Sequence, residues 1–229
     1  MRWLGVAVTA AVVVGVGGCE NLVTSEKPLI EAKDAVTDGT LKAGWWVAQA
    51  PGCDVDAALP SEQWPDCAKA VLVPPRLSDK RRVKIEDVSG APKVKIGYRL
   101  AAGEPMVLRM SLMAPLNIKG VRSVHFYKAV RATERDAQGR IVEFRHWALV
   151  CGPLEPSLGE EYHYRRMSNA PWPGIEPRSE GCFARDQTGL HEAAQRSEAL
   201  AVAASPPLRW LRDRRPDDQT FDQWLLSWF

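Results

Sequence analysis

Lys93-Val94-Lys95-Ile96-Gly97-Tyr98-Arg99-Leu100 alternates without a break: Val94, Ile96, Tyr98 and Leu100 fall on one face, Lys93, Lys95 and Arg99 on the other. Alternation with period two marks a half-buried strand, and one wet face is the habit of antiparallel sheets. Val83-Lys84-Ile85-Glu86 precedes it and Met106-Val107-Leu108-Arg109-Met110-Ser111-Leu112 follows it. Ser89-Gly90-Ala91-Pro92 and Ala102-Gly103-Glu104-Pro105 supply the turns between them. Residues 121–132 and 140–150 form a further strong pair, joined through Asp136-Ala137-Gln138-Gly139. No crossover helix fits between these segments, so five successive strands predict a meander rather than βαβ units.

Upstream, Gly44-Trp45-Trp46-Val47-Ala48 reads as a strand entering a loop between Cys53 and Cys67, and residues 28–36 as a short helix. The loop carries Asp54, Asp56, Glu62 and Asp66, but without the Gly-centred order of a calcium site. It reads as a solvated acidic loop. Downstream, residues 151–182 form a long excursion with five prolines; a structureless loop of that length inside a domain is usually functional. Residues 190–204 are Ala-rich and helical until Pro206-Pro207 stops them. Phe221, Trp224, Leu225 and Trp228 then stand at i, i+3, i+4 and i+7, the stripe of a terminal helix docked on the sheet. The expected class is α+β: an antiparallel β-meander with disulfide-pinned loops and C-terminal helices. The main domain spans 28–205 and a C-terminal amphipathic helix lies in 206–229. Trp46, Cys53, Trp64-Pro65 and Cys67 recur in order as Trp147, Cys151, Trp172-Pro173 and Cys182, an echo that suggests two related halves.

The first residues carry a different message. Arg2 gives a positive start, residues 4–16 are an almost unbroken apolar run, and Val16-Gly17-Gly18-Cys19 closes it. An apolar run of about 13 residues is short of the ~20 that span a bilayer and fits an export signal. Val16-Gly17-Gly18-Cys19 resembles the lipobox of bacterial lipoproteins. The resemblance implies that residues 1–18 are removed, that the Cys19 thiol receives a diacylglycerol, and that the freed amino group is a further acylation site. Glu20 stands where inner-membrane-retained lipoproteins of the enterobacterial type commonly carry Asp. The resemblance therefore implies the periplasmic face of the outer membrane rather than the inner membrane. Residues 20–25 read as a polar tether reaching only ~20 Å when extended.

Five cysteines are an odd number. Lipidation of Cys19 leaves Cys53, Cys67, Cys151 and Cys182, which in an oxidising envelope read as two disulfides. Three pairings are open; Cys53–Cys67 with Cys151–Cys182 is favoured because each pair encloses a Pro-rich polar loop. A net charge of +2 lacks the concentrated basic face that a nucleic-acid partner requires. Lys80-Arg81-Arg82 reads as a solvated loop.

Few residues suggest chemistry. His191-Glu192-Ala193-Ala194-Gln195 approaches the zinc-protease helix motif, but Gln195 replaces the second imidazole. Glu160-Glu161-Tyr162-His163-Tyr164-Arg165-Arg166 concentrates acid, imidazole, phenol and guanidinium in the longest loop. Such a set can supply a base and an anion clamp, or form a solvated rim. His125 and His146 sit on neighbouring expected strands and read as sheet histidines. No phosphate-binding Gly loop and no Gly-x-Ser-x-Gly elbow is present. The expected function is therefore non-catalytic, with no cofactor and no metal. It is binding of an envelope protein or peptidoglycan partner by a membrane-anchored body through Glu161, Tyr162, His163, Tyr164 and Arg165. The alternatives are a small-ligand module with an apolar concavity lined by Met106, Met110, Phe126 and Trp147, and a hydrolase using Glu161 and His163.

Overall fold

The computed structural model describes residues 22–36, 39–49, 52–75, 95–113, 124–153, 170–178, 181–201 and 206–218. The lipobox, Val83-Lys84-Ile85-Glu86, the loop residues Glu161, Tyr162, His163, Tyr164 and Arg165, and the stripe from Phe221 to Trp228 lie outside them.

The meander is present: β4 (Lys95–Ala101), β5 (Met106–Met113), β6 (Val124–Arg135) and β7 (Ile141–Ala148) pair consecutively and antiparallel. Its turns follow from their residues. Between β6 and β7, the Asp136 carboxylate accepts from the Gln138 and Arg140 N–H groups while Gly139 takes φ +76°. Between β4 and β5, Gly103 has φ +147° and lies so close to the His191 ring that a Cβ there would sit 2.6 Å from Cε1.

β6 is long enough to hold two neighbours along one edge. β5 pairs with its first half on one side; on the other, β7 pairs from Lys128 onward and β1 (Val23–Ser25) occupies the place before it. Two wings grow from this fork. β7 continues to β10 (Leu208–Arg212), β2 (Gly44–Gln49) and β3 (Ala68–Val73), all antiparallel. β1 continues to β9 (Gly181–Ala184), which it pairs in parallel, and then to β8 (Ile175–Arg178).

One face of the meander packs under α1 (Gln187–Ala201). The Asp186 carboxylate accepts from the Gly189 N–H, an N-cap, and Leu190, Ala193, Ala194 and Ser197 give the buried i, i+3, i+4, i+7 stripe. This core holds Val107, Tyr127, Ala129, Trp147 and Leu149. The opposite face carries Trp46, Leu100, Met106, Val130, Phe144 and Leu208. A third cluster, Trp45, Val47, Trp64 and Leu72, lies under the Cys53–Cys67 loop.

The class is mainly β rather than α+β. Residues 208–212, assigned above to a segment ending in a helix, are a strand inserted between β2 and β7. Residues 28–36 form no α-helix; only a 3-10 turn, Ala32–Asp34, appears, closed by the Glu31 N–H donating to the Asp34 carboxylate. The expected tether of six residues is also corrected. Leu22 already bridges Val150, and Val23 is 0% exposed within the sheet. Both favoured disulfides are present, with Cα–Cα separations of 6.0 Å for Cys53–Cys67 and 5.8 Å for Cys151–Cys182. No helix among the described residues is long and apolar enough to cross a membrane.

Candidate functional site

The candidate binding loop leaves the sheet at Pro153 and returns at Ala170, and both stems are described. Three contacts fasten them. Cys151 is joined to Cys182 on β9; the Trp172 N–H donates to the Cys151 carbonyl at 2.8 Å; the Ile175 N–H donates to the Trp172 carbonyl at 3.0 Å. Trp172 packs on the α1 core with the Arg196 guanidinium 5.4 Å from its ring centre. Helix α1 closes the neck from the other side, where the Val150 N–H donates to Ser197 Oγ. Pro153 and Ala170 themselves are exposed. Pro153 and Ala170, the described residues that flank the expected binding loop, thus stand on one fastened base.

The same base receives the N-terminal segment. The Val23 N–H donates to the Leu149 carbonyl at 2.8 Å, and Val23 pairs with Cys182. The expected site of lipidation, Cys19, is thus three residues from the neck in sequence terms, a reach of about 11 Å at most.

Beneath this region runs a buried polar row that the sequence reading recognised only in part. Ser25, His125 and Ser111 are direct cross-strand partners on β1, β6 and β5. His125 Nδ1 and Ser111 Oγ are 2.7 Å apart, and the two residues are 6% and 2% exposed. A serine beside an imidazole is the pairing of nucleophile and base. Here both are enclosed in the sheet, so the described geometry is that of a satisfied core pair. Two residue pairs along, on the same face, Arg109 donates to the Ile30 carbonyl, while the Tyr127 hydroxyl meets Ser25 Oγ at 2.7 Å and accepts from the Leu29 N–H. Burial raises the Tyr127 phenol, so it stays protonated. The row straps residues 25–30 onto the sheet.

The proposed apolar lining divides between the two faces. Met110 pairs with Phe126 and Met106 with Val130, on one face. Trp147 pairs with Ala129 on the other, and its indole N–H donates to the Ala194 carbonyl at 2.8 Å. Trp147 is therefore a core residue under α1 and lines no concavity with the methionines. His146 does share the methionine face; burial, with the Lys128 charge nearby, pushes its imidazole down to about 4. A crevice between Ala35, Val36, residues 39–41, the end of β3 and Leu100 has about 20 Å³ of space, room for one water molecule.

The His191 motif is placed on α1, where Ala193 and Ala194 face the core, Glu192 pairs with Arg196, and Gln195 donates to the Glu104 carbonyl. Gln195, with the His191 ring against Gly103, braces the helix on the β4–β5 turn.

A second polar centre, absent from the sequence reading, clamps the Cys53–Cys67 loop. Arg212 and Asp218 form a two-point pair at 2.5 and 2.6 Å, with side chains 10% and 0% exposed. Asp218 also accepts from the Trp45 indole N–H, the Ser61 N–H and the Arg215 N–H, and Arg212 donates to the Leu59 carbonyl. Burial alone would raise the Asp218 carboxyl; the Arg212 hydrogen bonds and the other donors overcome this and hold it well below the usual carboxylate range. Leu208-Arg209-Trp210-Leu211-Arg212 followed by acids was the available signal, hidden by a bulge between Trp210 and Arg212.

Comparison with protein-family models, curated proteins and solved structures gives no match to this chain.

Proposed function

We propose that the protein is a non-catalytic lipoprotein of the bacterial cell envelope, acylated on Cys19 and binding a protein or cell-wall partner through the loop pinned at Cys151 and Cys182. The outer membrane, periplasmic side, is the proposed address. The observation that supports this reading best is the shared base described above. Leu22, three residues after the lipobox cysteine, already bridges Val150, and the first described strand is built into the neck of the loop. A body anchored at Cys19 presents that loop from a rigid support.

The binding residues proposed are Glu161, Tyr162, His163, Tyr164 and Arg165. Tyrosine and arginine dominate interface energetics when buried at a contact. A loop with joined ends has already lost part of the entropy that binding would otherwise cost. Replacing Tyr162, Tyr164 and Arg165 together with Ala tests the assignment. The variant keeps the wild-type thermal transition, and crosslinking in cells no longer recovers its specific neighbours. A folded variant that keeps every neighbour places the binding surface elsewhere.

A further inference from the structure

The sheet face opposite α1 changes character along its length. On one side Trp46, Val130 and Phe144 belong to a buried cluster. Beyond it, cross-strand register sets out two rows. Leu100, Leu108, Lys128 and Ala148 stand opposite one another on β4 to β7. Tyr98, Met110, Phe126 and Thr24 form the next row, on β4, β5, β6 and β1. Apart from Leu100, these side chains are half-buried rather than enclosed. Three strand spacings of about 4.8 Å make the second row about 14 Å long. Lys128 is the exception in this setting. Val130, two residues along β6, pairs with His146, so Lys128 and His146 are diagonal neighbours on one face. Such neighbours have backbones about 7–8 Å apart, within reach of long side chains. Burial lowers the Lys128 ammonium, and burial together with that ammonium holds His146 neutral. Among the described residues neither side chain has a carboxylate or a hydrogen-bond partner.

We propose that this face binds a free fatty acid, with the carboxylate on Lys128 and His146 and the chain along the Tyr98–Met110–Phe126 row. A half-buried ammonium among apolar side chains is costly until an anion is brought to it. One positive charge beside one neutral N–H donor matches a singly charged anion with two acceptor oxygens, which describes a carboxylate. A doubly charged phosphate would leave negative charge uncompensated on an apolar face. Val130 and Met106 are buried, so the chain has no room on their side and runs over the half-buried row instead. Ligand sites commonly combine such an apolar lining with a few convergent polar groups. The site lies on strands β4 to β7, uses no residue of the 154–169 loop, and stands independently of acylation at Cys19.

The test uses membranes from cells expressing the full-length protein. They are loaded with dodecanoic acid carrying a diazirine at its chain end, or with the matching alcohol, and irradiated. Peptide mass spectrometry reads where each probe attaches. The acid should label residues within 106–113 and 124–130 about tenfold more than the alcohol or better, the factor expected for hydrogen bonds to a charged group. Lys128→Met keeps the volume and removes the charge. It should bring acid labelling down to the alcohol level, with a urea midpoint at or above that of the wild type. Equal labelling by acid and alcohol in the wild-type chain overturns the proposal without any variant, as does acid labelling confined to other segments. A folded Lys128→Met protein that keeps the wild-type acid labelling overturns it too.

Discussion

Leu22 and Val150 face each other in an antiparallel bridge, and the residue after Val150 is the first half-cystine of the long loop. The N-terminal segment and the loop neck are thereby parts of one structure, although well over a hundred residues separate them in the chain. Cys182 completes the arrangement by pairing with Val23 on one side and closing the disulfide on the other. Cutting that disulfide should loosen both the loop and the first strand.

Replacing Cys151 and Cys182 with Ala opens a span of 31 residues, against 14 for Cys53 and Cys67. Loop-closure entropy alone gives losses of about 4 and about 3 kcal/mol respectively. Urea unfolding of the two double variants should therefore rank the Cys151/Cys182 pair as the more destabilising. Hydrogen exchange in that variant should rise at Val23 and Thr24. The opposite ranking, with no change in β1, would detach the first strand from the neck.

Gly189→Ala carries an unusual sign. Inside a helix this change ordinarily stabilises by about 1 kcal/mol. Here the new Cβ would lie 2.8 Å from the Gly174 carbonyl oxygen and 3.0 Å from its carbon, both backbone atoms. Helix α1 must then move off the strand that follows the loop, at a cost of about 1–3 kcal/mol. A lower urea midpoint checks the prediction; a higher one would show that helix and neck are not in close contact.

Among the described residues, two groups enclosed by the fold contribute to its acid sensitivity in different pH windows. Asp218 titrates below its unfolded value of about 3.9, so its contribution is complete above that pH and is lost as pH falls through the lower folded value. His146, pushed down to about 4, is neutral in the folded protein while the unfolded chain takes up a proton near 6.5. Its contribution is lost as pH falls from 6.5 toward 4. Stability measured against pH should decline in two successive windows. His146→Phe should remove the upper one. Asp218→Asn should shrink the lower one, to which Asp34 and Asp136 also contribute, and cost about 3 kcal/mol at neutral pH, because Arg212 is left buried without its carboxylate.

How far the sequence reveals this architecture depends on how local each signal is. β4 alternates cleanly, and β5 to β7 are strand-forming apolar runs with turn residues between β4 and β5 and between β6 and β7, so the meander is readable from local signals. β1 is Val23-Thr24-Ser25, too short to have a period, and its parallel pairing with Cys182 has no local trace. β10 fails for a different reason. Its bulge breaks the alternation after Trp210 and turns Arg212 inward, a choice tolerable only because Asp218 is folded back over it. Trp147 reads alongside Met106 and Met110 in sequence because hydrophobicity is visible there and register is not. One residue of register places it on the opposite face. The neck of the candidate site, likewise, depends on the cysteine pairing, which the spacing of Pro-rich loops favours, and on the β1 pairing, which leaves no local trace.

The anchor at Cys19 is the point on which the functional account turns, and acylation is its direct measure. Cells expressing the wild-type chain or Cys19→Ser are grown with a labelled fatty acid and separated into membrane and soluble fractions. The account predicts label on the wild-type protein in the membrane fraction, and an unlabelled Cys19→Ser protein. A Cys19→Ser protein that is still acylated and still sediments with membranes would contradict it.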